Sequence, residues 1–487
     1  MPGKVICKRL AGFWAGLFML VVLAPSLFGK EYRTSSEKVP MVPREFRAAW
    51  VACVYNIDWP SKPGLAKARQ QAEMRALLDR MATMRMNAVI FQVRPNADAV
   101  YQSRLEPWSH WISGAQGRSP GYDPLAYCIQ QSHARGIEVH AWFNPFRALP
   151  NDKIPTAASH VVQTNPSVIR NFKTYKWMDP SSSFTQKRAL SVIMDVVSRY
   201  DVDGVHIDDY FYPYPNIDKQ GRATPVFPDG KSPSQRRKAS DRFVESMYRQ
   251  VKAKKPWVRV GISPFGIWRP GVPAGTTASI DAYHHLAADS RKWLSKGWCD
   301  YLSPQLYWRI EGPQSFTRLL SWWRSQGSRP VWPGIATSRI NSSEDPGRPA
   351  SEILNQVSLT RRVGKNYVGH VFWSMKSLMQ NRGGVNEGLM KNFYQEPALV
   401  PSMKWLSKKL PATPAVRAMA AGGNLGLSWS AVPGCSKYAI QARVGKTWRM
   451  STVTSGNKIM LRGQPDAVAI SAVDRYGNTS SPRVLVK

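Results

Sequence analysis

Between about Phe46 and Tyr394 the chain alternates short apolar runs with longer stretches in which apolar residues recur at helical spacing. The short runs predict strands over 46–52, 88–93, 137–143, 203–207, 258–263, 301–306, 331–335 and 369–374. The longer ones predict helices over 70–84, 123–136, 185–200, 240–254 and 289–297, among others. Several strands are almost continuously apolar, as expected where both faces of a parallel sheet are covered. Eight strand–helix units over 44–395 therefore predict an α/β fold, a (β/α)8 TIM barrel. A proline-rich joint follows, with a linker over 396–412. The period then changes to two. The runs LGLSWS, KYAIQAR, KIMLR and AVAISAV predict a small all-β sandwich domain over 413–487.

Composition narrows the function classes. Apolar residues make up 43 % of the 487 residues, enough to fill a large core, which excludes disorder for most of the chain. Lys and Arg number 67 against 32 Asp and Glu, a formal charge of +35. That excess suits an anionic surface polymer as partner. The basic residues are scattered, and no zinc finger, RNA-recognition signature or phosphate-binding loop accompanies them, so nucleic acid is not the expected partner. Residues 1–30 read as a signal peptide or N-terminal anchor: Lys4, Lys8 and Arg9 precede an apolar run from Leu10. The body is accordingly expected to be exported, periplasmic or envelope-associated, touching a membrane only through that segment if it is uncleaved. Cys53, Cys128, Cys299 and Cys435 lie far apart with no metal-ligand spacing and read as free thiols, Cys7 belonging to the leader. His284-His285 lacks a ligand set, and no metal or other cofactor is expected.

In such a barrel the chemistry sits at the carboxyl ends of the strands. Those positions hold Asp98, Asn144, Asp208, Asp209 and Gln305 among many aromatic residues. Rings stack on the C–H faces of sugars while acids and amides bind their hydroxyls, so the set points to a saccharide. Asp208-Asp209 is the sharpest feature. Two adjacent carboxylates repel, so one pKa rises and the pair can split into a proton donor and an ionised partner. Glycoside cleavage needs such a pair, and Asp98 is a further candidate acid facing it. No Glu ends strand five or six, which weakens an ordinary two-glutamate mechanism. Tyr210, Tyr212, Trp268, Tyr307, Trp308 and Trp373 are candidate stacking residues. Arg94 and Arg147 are candidate ligands for a sugar carboxylate, or partners of the site's own aspartates. Asp58 reads as a turn cap.

The segments FRAAWVACVYNIDWPS, FQVRPNADAVY, VHAWFNPFR, DGVHIDDYFYPYP, GISPFGIWRP and DSRKWLSKGWCDYLSPQLYW together resemble the bacterial glycosyl-hydrolase-like family ten. The resemblance implies a TIM barrel and a hydrolase acting on the peptidoglycan glycan of the cell wall, an N-acetylated polysaccharide. It carries catalysis onto Asp208 and Asp209, and it sets Asp98, Asn144 and Gln305 in the other strand-end motifs. An adjacent acid pair at this strand also matches enzymes in which the substrate's own acetamido group attacks the anomeric carbon. Trp429, Tyr438 and the VDRYGNTS ending resemble a fibronectin type III domain. The alternative expectation is a non-catalytic glycan-binding scaffold on the same barrel.

Overall fold

The computed structural model describes residues 31–220, 222–364 and 367–487; the expected leader, 1–30, lies outside them. Eight parallel strands form the barrel: β1 (Phe46–Val51), β2 (Ala88–Arg94), β3 (Glu138–Phe143), β4 (Gly204–Ile207), β5 (Arg259–Ile262), β6 (Tyr301–Leu302), β7 (Gly334–Ile335) and β8 (Gly369–Phe372). Neighbours run β6-β5-β4-β3-β2-β1-β8-β7. The bridges Leu302↔Val331 and Gln305↔Gly334 join β6 to β7 and close the ring. Helices pack outside, including Lys67–Thr83, Pro124–His133, Ser183–Arg199, Pro233–Lys254, Phe316–Ser325 and Ala350–Val363. Their buried faces and the outward side chains of the strands make one large apolar core.

Strands six and seven are much shorter than the apolar runs predict. Pro304 and Pro333 interrupt those runs, and proline has no N–H for the ladder. The helix expected over 240–254 begins earlier, at Pro233, because Ser232 and Gln235 form a reciprocal capping box there.

The barrel interior is filled by rings rather than by branched aliphatics alone. Phe46, Trp50, Trp142, Tyr301 and Trp332 are buried in one cluster. Glycine on neighbouring strands makes the room. A Cβ on Gly261 would lie 2.0 Å from the Tyr301 ring, and one on Gly334 would lie 2.8 Å from Trp50. No side chain larger than hydrogen fits either position without displacing a ring.

After β3 the chain leaves the barrel in a three-stranded antiparallel sheet (Arg147–Leu149, Ile169–Phe172, Tyr175–Met178) that the strand–helix alternation gave no sign of. Its Arg147 and Trp177 pack on Tyr210, just beyond the end of β4. The C-terminal residues fold into two antiparallel sheets. One holds Val416–Ala421, Asn424–Trp429 and Lys458–Leu461; the other holds Cys435–Val444, Thr447–Thr454, Ala467–Asp474 and Arg483–Val486. Leu425, Leu427, Trp429, Tyr438, Ile440 and Ile470 lie between them. The second sheet gains a strand from before the barrel, Arg33–Ser35, paired with Arg483–Val486. The sandwich is thus discontinuous, and its expected start at 413 omits that strand. It docks on the base of the barrel. Lys437 meets Glu138 at the start of β3 (3.2 Å), Arg475 pairs with Asp201, and Arg259 at the start of β5 donates to Pro401 O. The mouth at the opposite end stays open. Among the described residues no helix is long and apolar enough to cross a membrane, and Cys53, Cys128, Cys299 and Cys435 are free thiols.

Candidate active site

A cavity of about 380 Å³ opens at the carboxyl ends of the strands. Its acids are Asp208 and Asp209. Its rings are Trp50, Trp142, Tyr210, Tyr214, Phe265, Tyr307, Trp308 and Trp373, and Ser263, Gln305 and Arg339 complete it. Among the described residues no third carboxylate lines it.

Asp208 follows β4 and is held from behind. Trp142 Nε1–H donates to its Oδ2 across 3.1 Å, and the Asn144 amide donates to the same oxygen. Oδ1 has only a long contact from the Tyr210 amide, 3.3 Å. Asn144 is itself fixed, because Gln92 Nε2 donates to its Oδ1 (2.6 Å) while Gln92 Oε1 accepts the Cys53 and Val54 amides. A chain of amides from the end of β1 thereby sets the orientation of the Asp208 carboxyl. Asp209 accepts the hydroxyl of Tyr214.

Burial and the neighbouring Asp209 push the Asp208 carboxyl up to about 7, against the opposing pull of Arg147, the Tyr210 amide and Asn144. Burial raises Asp209 as well, opposed by Tyr214 and Gln305. Both groups are only 5 % exposed. Two interacting acids of this kind titrate as a pair and retain one proton near neutrality. The arrangement can therefore donate a proton and hold an anion at one site.

Of the expected site residues, Asp208, Asp209, Tyr210, Gln305, Tyr307, Trp308 and Trp373 meet at the cavity. Asn144 and Arg147 stand behind it: Asn144 holds Asp208, and the Arg147 guanidinium lies 4.2 Å over the Tyr210 ring. Four do not line it. Asp98 is buried and accepts the Asn96 amide and Gln116 Nε2, so it folds its own loop. Arg94 is fully buried in a two-pronged ion pair with Glu106, at 2.7 and 2.5 Å, and donates to Asn144 O. Tyr212 packs edge-on against Phe227 beside Arg236. Trp268 stacks on Trp322 and donates to Asp289. Asp58, expected to cap a local turn, instead clasps the ends of β1 and β8, accepting the Ala52 and Lys376 amides and the Ser374 hydroxyl.

Trp50 and Trp142 were not among the candidates because they lie inside predicted strands. Alternation was the available signal: Trp142 shares a face of β3 with His140 and Asn144, as Trp50 shares one of β1 with Phe46 and Ala48. Beyond the cavity, Tyr55 stands 53 % exposed, its ring 5.0 Å from that of Trp111. Its backbone is left-handed, with φ of 54°, a conformation that costs about 1 kcal/mol or more in a bulky residue.

The model of the family described as glycosyl hydrolase-like 10 matches residues 45–346. Glycosyl hydrolase YngK of Bacillus subtilis (strain 168) is 38 % identical over 394 residues, 76 % of this chain and 76 % of that protein. Glycosyl hydrolase DigH of Escherichia coli (strain K12) is 35 % identical over 302 residues, 57 % of this chain and 69 % of that one. The glycoside hydrolase domain of PgaB (BpsB) from Bordetella bronchiseptica overlays with a TM-score of 0.47 at 14 % identity, covering 71 % of this chain and 98 % of the domain.

Proposed function

Starting from a chain that belongs to the glycosyl hydrolase-like 10 family and is a glycoside hydrolase, we propose that it cleaves an N-acetylated cell-wall glycan, peptidoglycan strands, with the substrate's acetamido group as nucleophile. One observation carries this reading: among the described residues the only carboxylates lining the cavity are Asp208 and Asp209, adjacent on one strand end. Ordinary retaining and inverting enzymes set two carboxyl groups on opposite sides of the scissile bond, about 5–9.5 Å apart. With no acid facing the pair across the cavity, a neighbouring acetamido oxygen supplies the missing attack on the anomeric carbon. One carboxyl of the pair donates its proton to the leaving oxygen. The other, ionised, accepts the acetamido N–H and orients the group. Water then opens the cyclic intermediate, and the same pair takes back the proton.

A polymeric substrate suits the aromatic surface outside the cavity. Tyr55 offers exposed ring area, backed by the buried Trp111, on the side of the mouth where Arg147 also stands, and further sugar units would stack there. Export to the envelope follows from the expected leader and the nature of the substrate. The strand order of the C-terminal sandwich, together with the buried Trp429–Tyr438 contact at 5.1 Å, supports a fibronectin type III-like module. The charge of +35 would hold the protein to anionic wall polymers.

The direct test is digestion of peptide-free glycan strands alongside the same strands after chemical removal of the N-acetyl groups. Release of reducing ends from the first alone supports the reading. Equal release from both would exclude participation of the acetamido group.

A further inference from the structure

Two walls of the cavity, Trp50 and Ser263, share a buried partner, His206 on β4. Beneath it a chain of polar groups crosses the barrel interior. His206 Nδ1 lies 2.9 Å from the Tyr301 hydroxyl, and the same hydroxyl lies 2.8 Å from His140 Nδ1. His140 Nε2 lies 3.5 Å from Glu138 Oε2 at the barrel base. His140, His206 and Tyr301 are fully buried.

We propose that this chain has one fixed direction, set by Trp50, and that Tyr301 and His206 are positioning residues holding the Trp50 ring and the Ser263 hydroxyl in place as cavity wall. The polarity follows link by link. An indole nitrogen only donates. Trp50 Nε1–H points at His206 Nε2 across 3.2 Å, so that nitrogen carries no proton. His206 is neutral, since burial pushes its pKa well below the ordinary value. Its one proton is therefore on Nδ1 and goes to the Tyr301 oxygen. The Tyr301 hydroxyl proton must then go to His140 Nδ1, which leaves the His140 proton on Nε2, facing Glu138. At the other end, Ser263 donates its hydroxyl proton to His206 Nε2 (2.9 Å), alongside Trp50. The Ser263 oxygen is left with lone pairs only.

The same logic makes the contact between His140 and Glu138 a neutral N–H donation, not an ion pair. The charge of Glu138 is met instead by Arg259 and by Lys437 of the sandwich, which with His140 outweigh burial and keep its carboxyl well below the usual range. The C-terminal domain thereby anchors the lower end of a chain whose upper end is the sugar cavity.

The consequence for substrate rests on the function proposed above; the proton positions do not. Nitrogen-15 spectra of histidine-labelled protein identify which ring nitrogen carries the proton, with His206→Gln assigning the signal. The wild type is expected to show His206 neutral, protonated on Nδ1 and bare on Nε2. Tyr301→Phe removes the acceptor for Nδ1–H while Trp50 still requires a bare Nε2, so the proton is expected to stay on Nδ1 and the His206 ring to lose its anchor beneath Trp50. The Michaelis constant for glycan should then rise about 3- to 10-fold, the worth of one stacking contact, while kcat holds. A proton on Nε2 of His206 in the wild type overturns the proposal whatever the protein's substrate. So does a Tyr301→Phe variant whose His206 carries its proton on Nε2 while Trp50 is unchanged. If the proton positions are as expected but no glycan is cleaved by the wild type, the chain stands and the functional reading fails.

Discussion

The Trp142 indole donates its only N–H to Asp208 Oδ2, 3.1 Å away, so a ring that walls the cavity is tied to one of the two acids inside it. Removing that donor withdraws support from the ionised form of Asp208. Trp142→Phe is therefore expected to move the limb of the pH–rate profile set by the acid pair upward, by roughly half to one unit. The comparison is kcat/KM against pH for the two proteins. An unshifted limb with activity intact would separate Trp142 from the acid.

The raised carboxyl of Asp208 also costs stability. Its folded value of about 7 exceeds the ordinary 3.8, so between those values the native state holds more protons than the unfolded chain. Native stability then falls as pH rises through that window and is flat above it. Asp208→Asn removes this loss. Relative to wild type it should be no more stable at pH 4 and more stable at pH 8, by up to roughly 4 kcal/mol at about 1.4 kcal/mol per unit. Denaturant unfolding at the two pH values measures it. An advantage that is the same at both would mean the carboxyl is not perturbed.

Arg94 and Glu106 are both buried and paired. Arg94→Met leaves the buried Glu106 carboxylate with only Arg188, 3.4 Å away, and is expected to lower stability by about 3–5 kcal/mol. Any protein that still folds should keep its Michaelis constant, because Arg94 does not line the cavity. A stable variant with weakened substrate binding would return Arg94 to the site.

Tyr55 projects from a strained backbone. Tyr55→Gly should leave stability unchanged or slightly higher, since glycine adopts positive φ freely. Long glycan strands should bind about 3- to 10-fold more weakly, while short fragments that fill only the cavity are unaffected. Equal loss on long and short substrates would contradict an outer stacking position.

The barrel was legible because its eight units repeat one contrast, short near-continuous apolar runs against longer amphipathic runs of period 3.6. The acid pair was legible because it closes one of those runs. Arg94, Tyr212 and Trp268 mark where that reading stopped. Arg94 ends a strand and the other two follow one, as residues lining the cavity do, and only their long-range partners Glu106, Phe227 and Trp322 decide that they turn away from it. The converse holds for Gln92. It lies inside β2 and reads as core, yet it orients the Asn144 amide that holds Asp208. The strand Arg33–Ser35 escaped notice because its partner is some 450 residues away, and three residues carry no period of their own.

Reducing-end release from peptide-free peptidoglycan strands, by wild type and by Asp208→Asn and Asp209→Asn separately, tests the paired acids most directly. Cleavage by the wild type, with each single substitution lowering kcat by about a hundredfold or more, is the expected result. Undiminished release by either variant would contradict the role given to the pair.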